Sequence, residues 1–199
     1  MSTADSDAAL LEAWAAGDNA EGNRLLDRYF DRLLAFFGLR VNRDVEDLVQ
    51  RTMVSCLASR ASVRKASSFR AFLFSVARNE LIDHYRRKDP IGECIEPDDA
   101  QCERTTPSQF AVGRQQKHAL AISLSKLEVE LQIVLALYYW EGMTHAELTE
   151  TLALPLGTVK SRLRRAKAAL RDQMLTAANA RDVDGTLQSL TSWARALRC

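Results

Sequence analysis

Apolar and polar positions alternate at helical spacing from residue 142 to residue 170, which predicts a short helix, a tight turn and a second helix. The first helix has its apolar side on Met143, Leu148 and Leu152. Pro155 is compatible with the start of the second helix, because the N–H that proline lacks would have no partner there. The second helix carries one apolar stripe at about 100° per residue, formed by Val159, Leu163, Ala166 and Leu170.

The other side of this second helix is polar and basic. Ser161, Arg164 and Arg165 lie opposite the apolar stripe, with Lys160 and Arg171 beside them. The segment 151–171 holds no acid and six basic residues: Lys160, Arg162, Arg164, Arg165, Lys167 and Arg171. Solvated faces usually mix charges that pair at i,i+4, so this face favours an anionic ligand over an ordinary solvated surface. The layout is typical of a helix-turn-helix that reads DNA.

The N-terminal part of the chain also has helical periodicity. Residues 7–16 and 20–37 predict two helices with a joint at Gly17-Asp18-Asn19. Residues 69–87 predict a longer helix that is apolar on all sides, which places it at the centre of a bundle. A short basic loop, residues 59–68, precedes it.

Residues 43–59 predict a further amphipathic helix, with Asp44 as its N-cap. Its apolar stripe consists of Val45, Leu48, Val49, Thr52 and Cys56. Its far side carries Asp47, Gln50, Arg51 and Val54. This far side is suited to docking a partner helix, although single exposed apolar residues are common on protein surfaces.

Residues 89–112 differ in composition from the rest of the chain. They contain three of the four prolines and an excess of acids, without periodicity, which predicts a flexible linker. Helices are predicted again at 114–124 and 129–140, and a last short one around Trp193. The chain is therefore predicted to be all-α. We expect an N-terminal domain at 1–88, the acidic Pro-containing linker at 89–112, a C-terminal domain at 113–176 and a tail at 177–199.

The net charge of +1 over 199 residues hides an uneven distribution. Residues 48–79 are a second tract with basic residues and no acid, and a phosphate backbone responds to such local patches. No stretch has the apolar length of a membrane span, and the acidic N-terminus is unlike a signal peptide, so we expect a cytoplasmic protein without membrane insertion.

The cysteines and histidines do not form a recognisable site. Cys56, Cys94, Cys102 and Cys199 include no CxxC pair and no Cys/His cluster at zinc spacing, so free thiols, no metal and no cofactor are expected. A thiol or metal switch at the last three cysteines is the alternative. The scattered histidines, without a nucleophile–base pair or a phosphate loop, argue against an enzyme.

Three motifs together resemble the extracytoplasmic-function (ECF) sigma factors of bacterial RNA polymerase. The first is DVEDLVQ at 44–50, and the second is FRAFL at 69–73 with Ala77-Arg78-Asn79, Asp83 and Arg86-Arg87 after it. The third is GTVKSRL at 157–163, followed by Arg165-Ala166. They occur in the order and spacing of the family over about residues 20–172. The resemblance implies a protein that binds core RNA polymerase and directs promoter recognition and transcription initiation, in a stress or environmental response.

The resemblance implies three sets of site residues. The surface for core polymerase comprises Asp44, Glu46, Asp47 and Gln50. The −10 promoter element is contacted by Ser62, Lys65, Arg78, Asn79 and Arg86. The −35 element is contacted by Thr158, Lys160, Ser161, Arg162, Arg164 and Arg165. Within the last set, Lys160 suits phosphate, and Arg162 is expected to pair with an acid or touch phosphate. Asn79 and Asp83 have an alternative role in bonding across the bundle.

The chain departs from the family pattern at several positions. Glu128 stands where proline is common, and Thr149 and Ala153 replace an alanine and the glycine of the turn. His145 stands where an aromatic residue is frequent. None of these changes removes a residue expected to contact DNA.

The linker length bears on how DNA is bound. About 24 residues of flexible coil average roughly 25–30 Å, whereas two elements two helical turns apart need roughly 70 Å. We therefore expect the isolated protein to bind promoter duplex poorly and core polymerase to supply the geometry.

Other partners and functions remain open at this stage. The tail around Trp193 is suited either to packing on its own domain or to binding an anti-sigma factor. A conventional helix-turn-helix regulator that binds DNA as a dimer would explain the C-terminal pattern and leave residues 44–87 without a role.

Overall fold

The computed structural model describes residues 3–41, 43–59, 68–88 and 120–177. All regular secondary structure in these ranges is helical, which confirms the predicted all-α class. The described residues before the predicted linker form the helices α1 (Thr3–Ala16), α2 (Asn19–Gly38), α3 (Val45–Ala58) and α4 (Phe69–Lys88). The predicted loop with Ser62 and Lys65, the linker with Cys94 and Cys102, and the tail with Trp193 and Cys199 lie outside the described residues.

The later helices form a second compact unit. Residues 120–125 are helical and are designated α5. Helix α6 (Val129–Leu135) continues as a π-helix over Ala136–Trp140, and α7 (His145–Leu152) and α8 (Leu156–Ala177) follow. Among the described helices, none is both long enough and apolar enough to cross a bilayer.

The joint between α1 and α2 forms where the Gly-Asp-Asn signal predicts it. Gly17 has φ +119°, which an L residue rarely adopts. The Asp18 carboxylate accepts from the N–H groups of Ala20 and Glu21, at 2.9 Å and 3.3 Å, and so caps α2. Because both partners lie within three residues of Asp18, the signal that ends one helix and starts the next is local in sequence.

Helix α1 is fixed to α2 by a carboxylate and an indole. Asp7 accepts from Arg28 Nη1 at 3.0 Å and from the Tyr29 hydroxyl at 2.5 Å. Trp14 is 2% exposed and packs edge-to-face against Phe69 of α4, with ring centroids 6.3 Å apart. The first helix is therefore part of the core of the N-terminal unit.

Helix α4 is central to this unit, as its apolar pattern predicts. Leu73, Phe74, Ala77 and Leu81 are fully buried, and the Phe74 and Phe36 rings pack edge-to-face at 5.5 Å. Helix α3 packs on α4, and the Ser55 hydroxyl donates to Glu80 at 3.1 Å. Burial on several sides explains the apolar pattern of the first half of α4, and the exposed polar residues of this helix lie in its second half.

The start of α3 differs in one detail from the prediction. Asp44 occupies the N-cap position, and its carbonyl accepts from the Leu48 N–H at 2.9 Å. Its side chain makes no capping hydrogen bond, and its φ of +67° is left-handed. Aspartate tolerates this conformation better than most residues, which accounts for an acid at this position without a side-chain cap.

In the second unit, a buried amide stabilises the turn between α5 and α6. Gln132 is 3% exposed and donates from Nε2 to the carbonyls of Leu127, at 2.9 Å, and Ser125, at 3.4 Å. The predicted helix 129–140 has the predicted extent, but its last five residues are π-wound. It ends at Trp140, and Gly142 follows with a φ of +63°. The Met143 N–H then donates to the Leu137 carbonyl at 3.0 Å.

The helix-turn-helix begins with a reciprocal cap that the sequence analysis did not identify. The Glu147 N–H donates to Thr144 Oγ1 at 3.2 Å, and the Thr144 N–H donates to Glu147 Oε2 at 2.8 Å. The turn contains Ala153 with φ +52°, the position at which the family commonly has glycine. Pro155 precedes α8, and its carbonyl accepts from the Val159 N–H at 3.0 Å.

Candidate nucleic-acid interface

Helix α8 separates a core face from a solvent face, as its periodicity predicts. Val159, Leu163, Ala166 and Leu170 are between 0% and 4% exposed. The stripe continues to Met174, which is 5% exposed. On the opposite side, the exposed residues include Thr158, Lys160, Ser161, Arg164 and Arg165. The exposed side is a polar, cationic surface about two helical turns long.

Two arginines of α8 are paired with acids from another helix. Arg165 Nη2 lies 2.7 Å from Glu128 Oε1, and Arg162 Nη1 lies 2.8 Å from Glu130 Oε2. The expectation that no acid is available to this basic face is therefore wrong. The acids come from the start of α6, which is distant in sequence and invisible to a count of charges within the segment. The expected pairing of Arg162 with an acid is confirmed.

A third cation of α8 contacts aromatic rings. Lys167 Nζ lies 5.0 Å from the Tyr138 ring centroid and 5.3 Å from that of Tyr139. By contrast, Lys160 and Arg164 make no ion pair or hydrogen bond with other side chains in the part of the chain that the structure describes. These two residues therefore present their charge to solvent.

An open groove of about 480 Å³ runs beside Lys160, between α7 and the start of α8. Its lining residues are His145, Ala146, Thr149, Leu156 and Lys160. Leu156 is 46% exposed, so the groove presents an apolar edge beside the cationic face. The His145 ring packs near Tyr138, with centroids 5.6 Å apart, and so takes the place of the aromatic residue that is frequent there.

The exposed side of α3 is acidic and apolar. Asp44, Glu46, Asp47 and Gln50 are all exposed, and Asp47 pairs with Arg51 at 2.7 Å. Val54 and Leu57 are 56% and 47% exposed. Leu57 was missed by the sequence analysis, although its spacing from Gln50 and Val54, at i+7 and i+3, is the signal that places it on the same face.

On α4, Asn79 and Asp83 are exposed and contact their own helix. Asn79 Oδ1 accepts from Arg78 at 3.4 Å, and Asp83 lies 3.7 Å from Arg86. Among the described residues, neither side chain bonds across the bundle, which is the alternative role for this pair. Arg78 is half-buried and Arg86 is exposed.

The described residues do not bring together the side chains that a metal site or a thiol switch needs. No group of three or more potential metal ligands occurs there. Cys56 is buried with a free thiol, and burial raises its pKa to about 12. A thiol with so high a pKa is a poor nucleophile, so its role is in packing.

Two helical units, one of them carrying a helix-turn-helix with a cationic face, define a DNA-binding transcription protein. Sigma-70 region 2 matches residues 24–91, and Sigma-70 region 4 matches residues 119–170. The chain belongs to the ECF sigma factors, which direct RNA polymerase to promoters for the initiation of transcription. This confirms the family and the role in promoter-directed transcription initiation that the three motifs imply, and the family is non-catalytic.

Curated relatives and solved structures agree with this placement. The ECF RNA polymerase sigma-E factor of Haemophilus influenzae is 26% identical over 182 residues, which cover 85% of this chain and 95% of that protein. The structure of CnrH in complex with the cytosolic domain of CnrY has a TM-score of 0.62 at 24% identity, and covers 88% of this chain and 99% of that one. The structure of the sigma factor RpoE in complex with the anti-sigma factor NepR from Bartonella quintana has a TM-score of 0.60 at 21% identity. It covers 78% of this chain and 97% of that one.

Proposed function

We propose that the exposed face of α8 binds the −35 promoter element in the major groove. The observation that carries this proposal is the separation of α8 into a buried apolar stripe and an exposed cationic side. An α-helix fits the major groove, and arginine is suited to the O6 and N7 acceptors of guanine. The residues assigned to this contact are Thr158, Lys160, Ser161, Arg162, Arg164 and Arg165.

The individual roles follow from exposure and pairing. Arg164 is exposed and makes no ion pair with described residues, so it reads a base or a phosphate directly. Ser161 contacts a base edge or a phosphate, and Lys160 binds phosphate as a point charge. The Arg162 side chain is 22% exposed and remains paired with Glu130. Arg162 therefore contributes positive charge near the DNA and does not read a base.

The −10 element is assigned to α4 and the basic loop before it. Asn79 is exposed and points away from the bundle, as a side chain that captures an unstacked base would. Arg78 and Arg86 provide positive charge for the backbone of the opened strand, together with Ser62 and Lys65 of the loop. Opening the duplex costs stacking energy, which these contacts offset.

The exposed side of α3 is proposed as the surface for core polymerase. Asp44, Glu46, Asp47 and Gln50 supply its polar rim, and the exposed Val54 and Leu57 supply apolar area. An apolar centre with a polar rim is the usual composition of a protein interface. An anti-sigma factor is a further proposed partner, since the two solved structures named above are complexes, one of them with the anti-sigma factor NepR. We place the protein in the cytoplasm with the polymerase, acting in a stress or environmental response.

Reconstitution with core polymerase on a promoter library tests the assignment. Transcript starts that require the added chain are expected, and Lys160→Ala and Arg164→Ala together should abolish them at promoters that depend on the −35 element. Glu12, an exposed residue of α1, provides the control Glu12→Ala, which should leave the starts unchanged. The proposal fails if no start depends on the added chain, or if the double variant transcribes like the unmodified protein.

A further inference from the structure

Glu128 lies at the edge of the surface assigned to DNA. It occupies the N-cap position of α6, but its side chain makes no capping hydrogen bond there. Its carboxylate instead meets the guanidinium of Arg165, 2.7 Å from Nη2. Both side chains are about two-thirds exposed, so neither is held in place by burial. The pair is therefore a contact in solvent, at the position where a phosphate or a base would approach Arg165.

We propose that Glu128 is a built-in competitor for promoter DNA, which holds Arg165 until DNA displaces it. A carboxylate and a phosphate offer the same chemistry to a guanidinium, namely anionic oxygens for charge-assisted hydrogen bonds. Arg165 cannot give its full charge to DNA while Glu128 retains it. After displacement, the carboxylate remains beside the DNA backbone and repels it. This inference rests on the proposed function of α8.

The neighbouring ion pair shows why this role belongs to Glu128. Glu130 is 49% exposed, but its partner Arg162 is only 22% exposed and lies at the edge of the contact between α6 and α8. Arg165, at 66% exposure, can leave its partner and reach outwards. Glu130 thus joins two helices, whereas Glu128 controls the availability of one cation.

An exposed ion pair contributes little to stability, so the consequence of the pairing lies in DNA binding. Each phosphate contact that a protein gains steepens the dependence of log K on log salt by about 0.9. Removing the Glu128 charge adds about one neutralised phosphate to the complex, because the carboxylate no longer offsets Arg165 there. This corresponds to a roughly 3.5-fold larger loss of affinity between 50 and 200 mM salt. Binding to a non-promoter duplex should be strengthened, because a freed guanidinium can contact phosphate whatever the sequence.

The test is a double-mutant cycle in the reconstituted holoenzyme, with fluorescence anisotropy on a non-promoter duplex from 50 to 200 mM salt. Glu128→Gln should bind more tightly and show the steeper salt dependence. Adding Arg165→Ala to this variant should return the affinity and the steepness of the salt dependence to the values of the unmodified protein or below. Arg165→Ala alone should change the salt dependence less than it does in the Glu128→Gln background. Glu128→Asp, which keeps the charge, should behave like the unmodified protein.

The matched control is Glu130→Gln, which removes the same charge two residues away and should leave the salt dependence unchanged. Equal effects of Glu130→Gln and Glu128→Gln would overturn the proposal, as would an unchanged or weaker affinity of Glu128→Gln. Arg164→Ala distinguishes this failure from failure of the proposed function. If Arg164→Ala still weakens binding while Glu128→Gln has no effect, α8 binds DNA and only the competition is refuted.

Discussion

Gly22 of α2 lies directly against the indole of Trp14 on α1. A Cβ atom at residue 22 would be 2.5 Å from Cδ1 and 2.6 Å from Nε1 of that ring. Carbon atoms do not approach so closely, so the close contact between α1 and α2 requires a residue without a side chain at this position. The indole in turn packs on Phe69, which connects α1 to the centre of the bundle.

Gly22→Ala should therefore destabilise the N-terminal unit by about 1–3 kcal/mol, the usual cost of overpacking. Gly38, the last residue of α2, is the matched control, because a Cβ there would have nothing within 4 Å. Gly38→Ala should be neutral or stabilise by up to about 1 kcal/mol, since alanine favours helix. Urea unfolding of the two variants, followed by circular dichroism, measures both effects. Equal midpoints for the two variants would contradict the role of Gly22.

The buried thiol of Cys56 should make stability depend on alkaline pH. Burial raises its pKa from 9.0 to about 12, so the unfolded chain releases this proton first. The stabilisation is complete below pH 9 and is lost as the pH rises towards 12, by roughly 1 kcal/mol per pH unit. Cys56→Ala should flatten the decline in unfolding free energy between pH 9 and 10. Burial likewise raises the pKa of Tyr85 to about 12, which adds a further decline only above pH 10.

Only the slopes are compared in this measurement, because Cys56→Ala also removes packing and lowers stability at every pH. The other cysteines are present in both proteins, and their titration cancels. Parallel curves from pH 8 to 10 would show that Cys56 does not cause the pH dependence.

The turn of the helix-turn-helix carries a small strain at Ala153. Its φ of +52° is left-handed, a conformation that costs an alanine roughly 1–2 kcal/mol relative to the right-handed one. Ala153→Gly should stabilise the C-terminal unit by about 0.5–1 kcal/mol, after the larger entropy of glycine in the unfolded chain is subtracted. Gly142→Ala, at φ +63°, should have the opposite sign. Thermal unfolding of both variants checks the pair, and shifts in the same direction would refute the explanation.

The proposed polymerase surface predicts a loss of binding without a loss of folding. Val54→Lys places a charge at the centre of the exposed face of α3, where the side chain is 56% exposed. Affinity for core polymerase should fall about tenfold or more, because the charge is buried in the interface. Unfolding should be nearly unchanged. Competition against labelled protein measures the affinity, and Glu12→Lys on α1 is the control. Normal binding of Val54→Lys would place the interface elsewhere.

On α8, the exposed cations Lys160, Arg164 and Arg165 should have different effects at promoters. Lys160→Ala should weaken all promoters alike and reduce the salt dependence by about one phosphate contact. Arg164→Ala and Arg165→Ala should each shift base preference at one position of the −35 element, by about 1–3 kcal/mol. Transcript counts from a library randomised at the −35 element distinguish these patterns. A uniform loss for all three variants would leave no base-reading residue among them.

The periodicity of the sequence was sufficient to predict the helices and their buried faces. Val159, Leu163 and Leu170 are buried as their spacing requires, because helical periodicity is a local property of the chain. The Asp18 cap was predictable in the same way, since its partners are two and three residues away. The three motifs then supplied the family, which periodicity alone does not.

Contacts between distant segments could not be predicted in this way. Nothing near Arg165 in sequence indicates that Glu128 faces it, and the substitution of the common proline gave no sign of a partner. The same holds for Trp14 above Gly22, where the constraint comes from the distance between two helix axes. The π-winding of residues 136–140 was also missed, because its apolar residues satisfy an α-helical pattern equally well.

That π-helix determines the direction in which the basic face points. A π turn holds about one residue more than an α turn, so Ala136–Trp140 contains, in effect, a one-residue insertion. Removing one residue there would restore α-helix and rotate everything after it by about 100° around the axis of α6. Such a deletion would break two ion pairs together, the pair of Arg162 with Glu130 and the pair of Arg165 with Glu128. The orientation of the DNA-binding helix is thus encoded in the length of a turn that lies outside the proposed DNA contact.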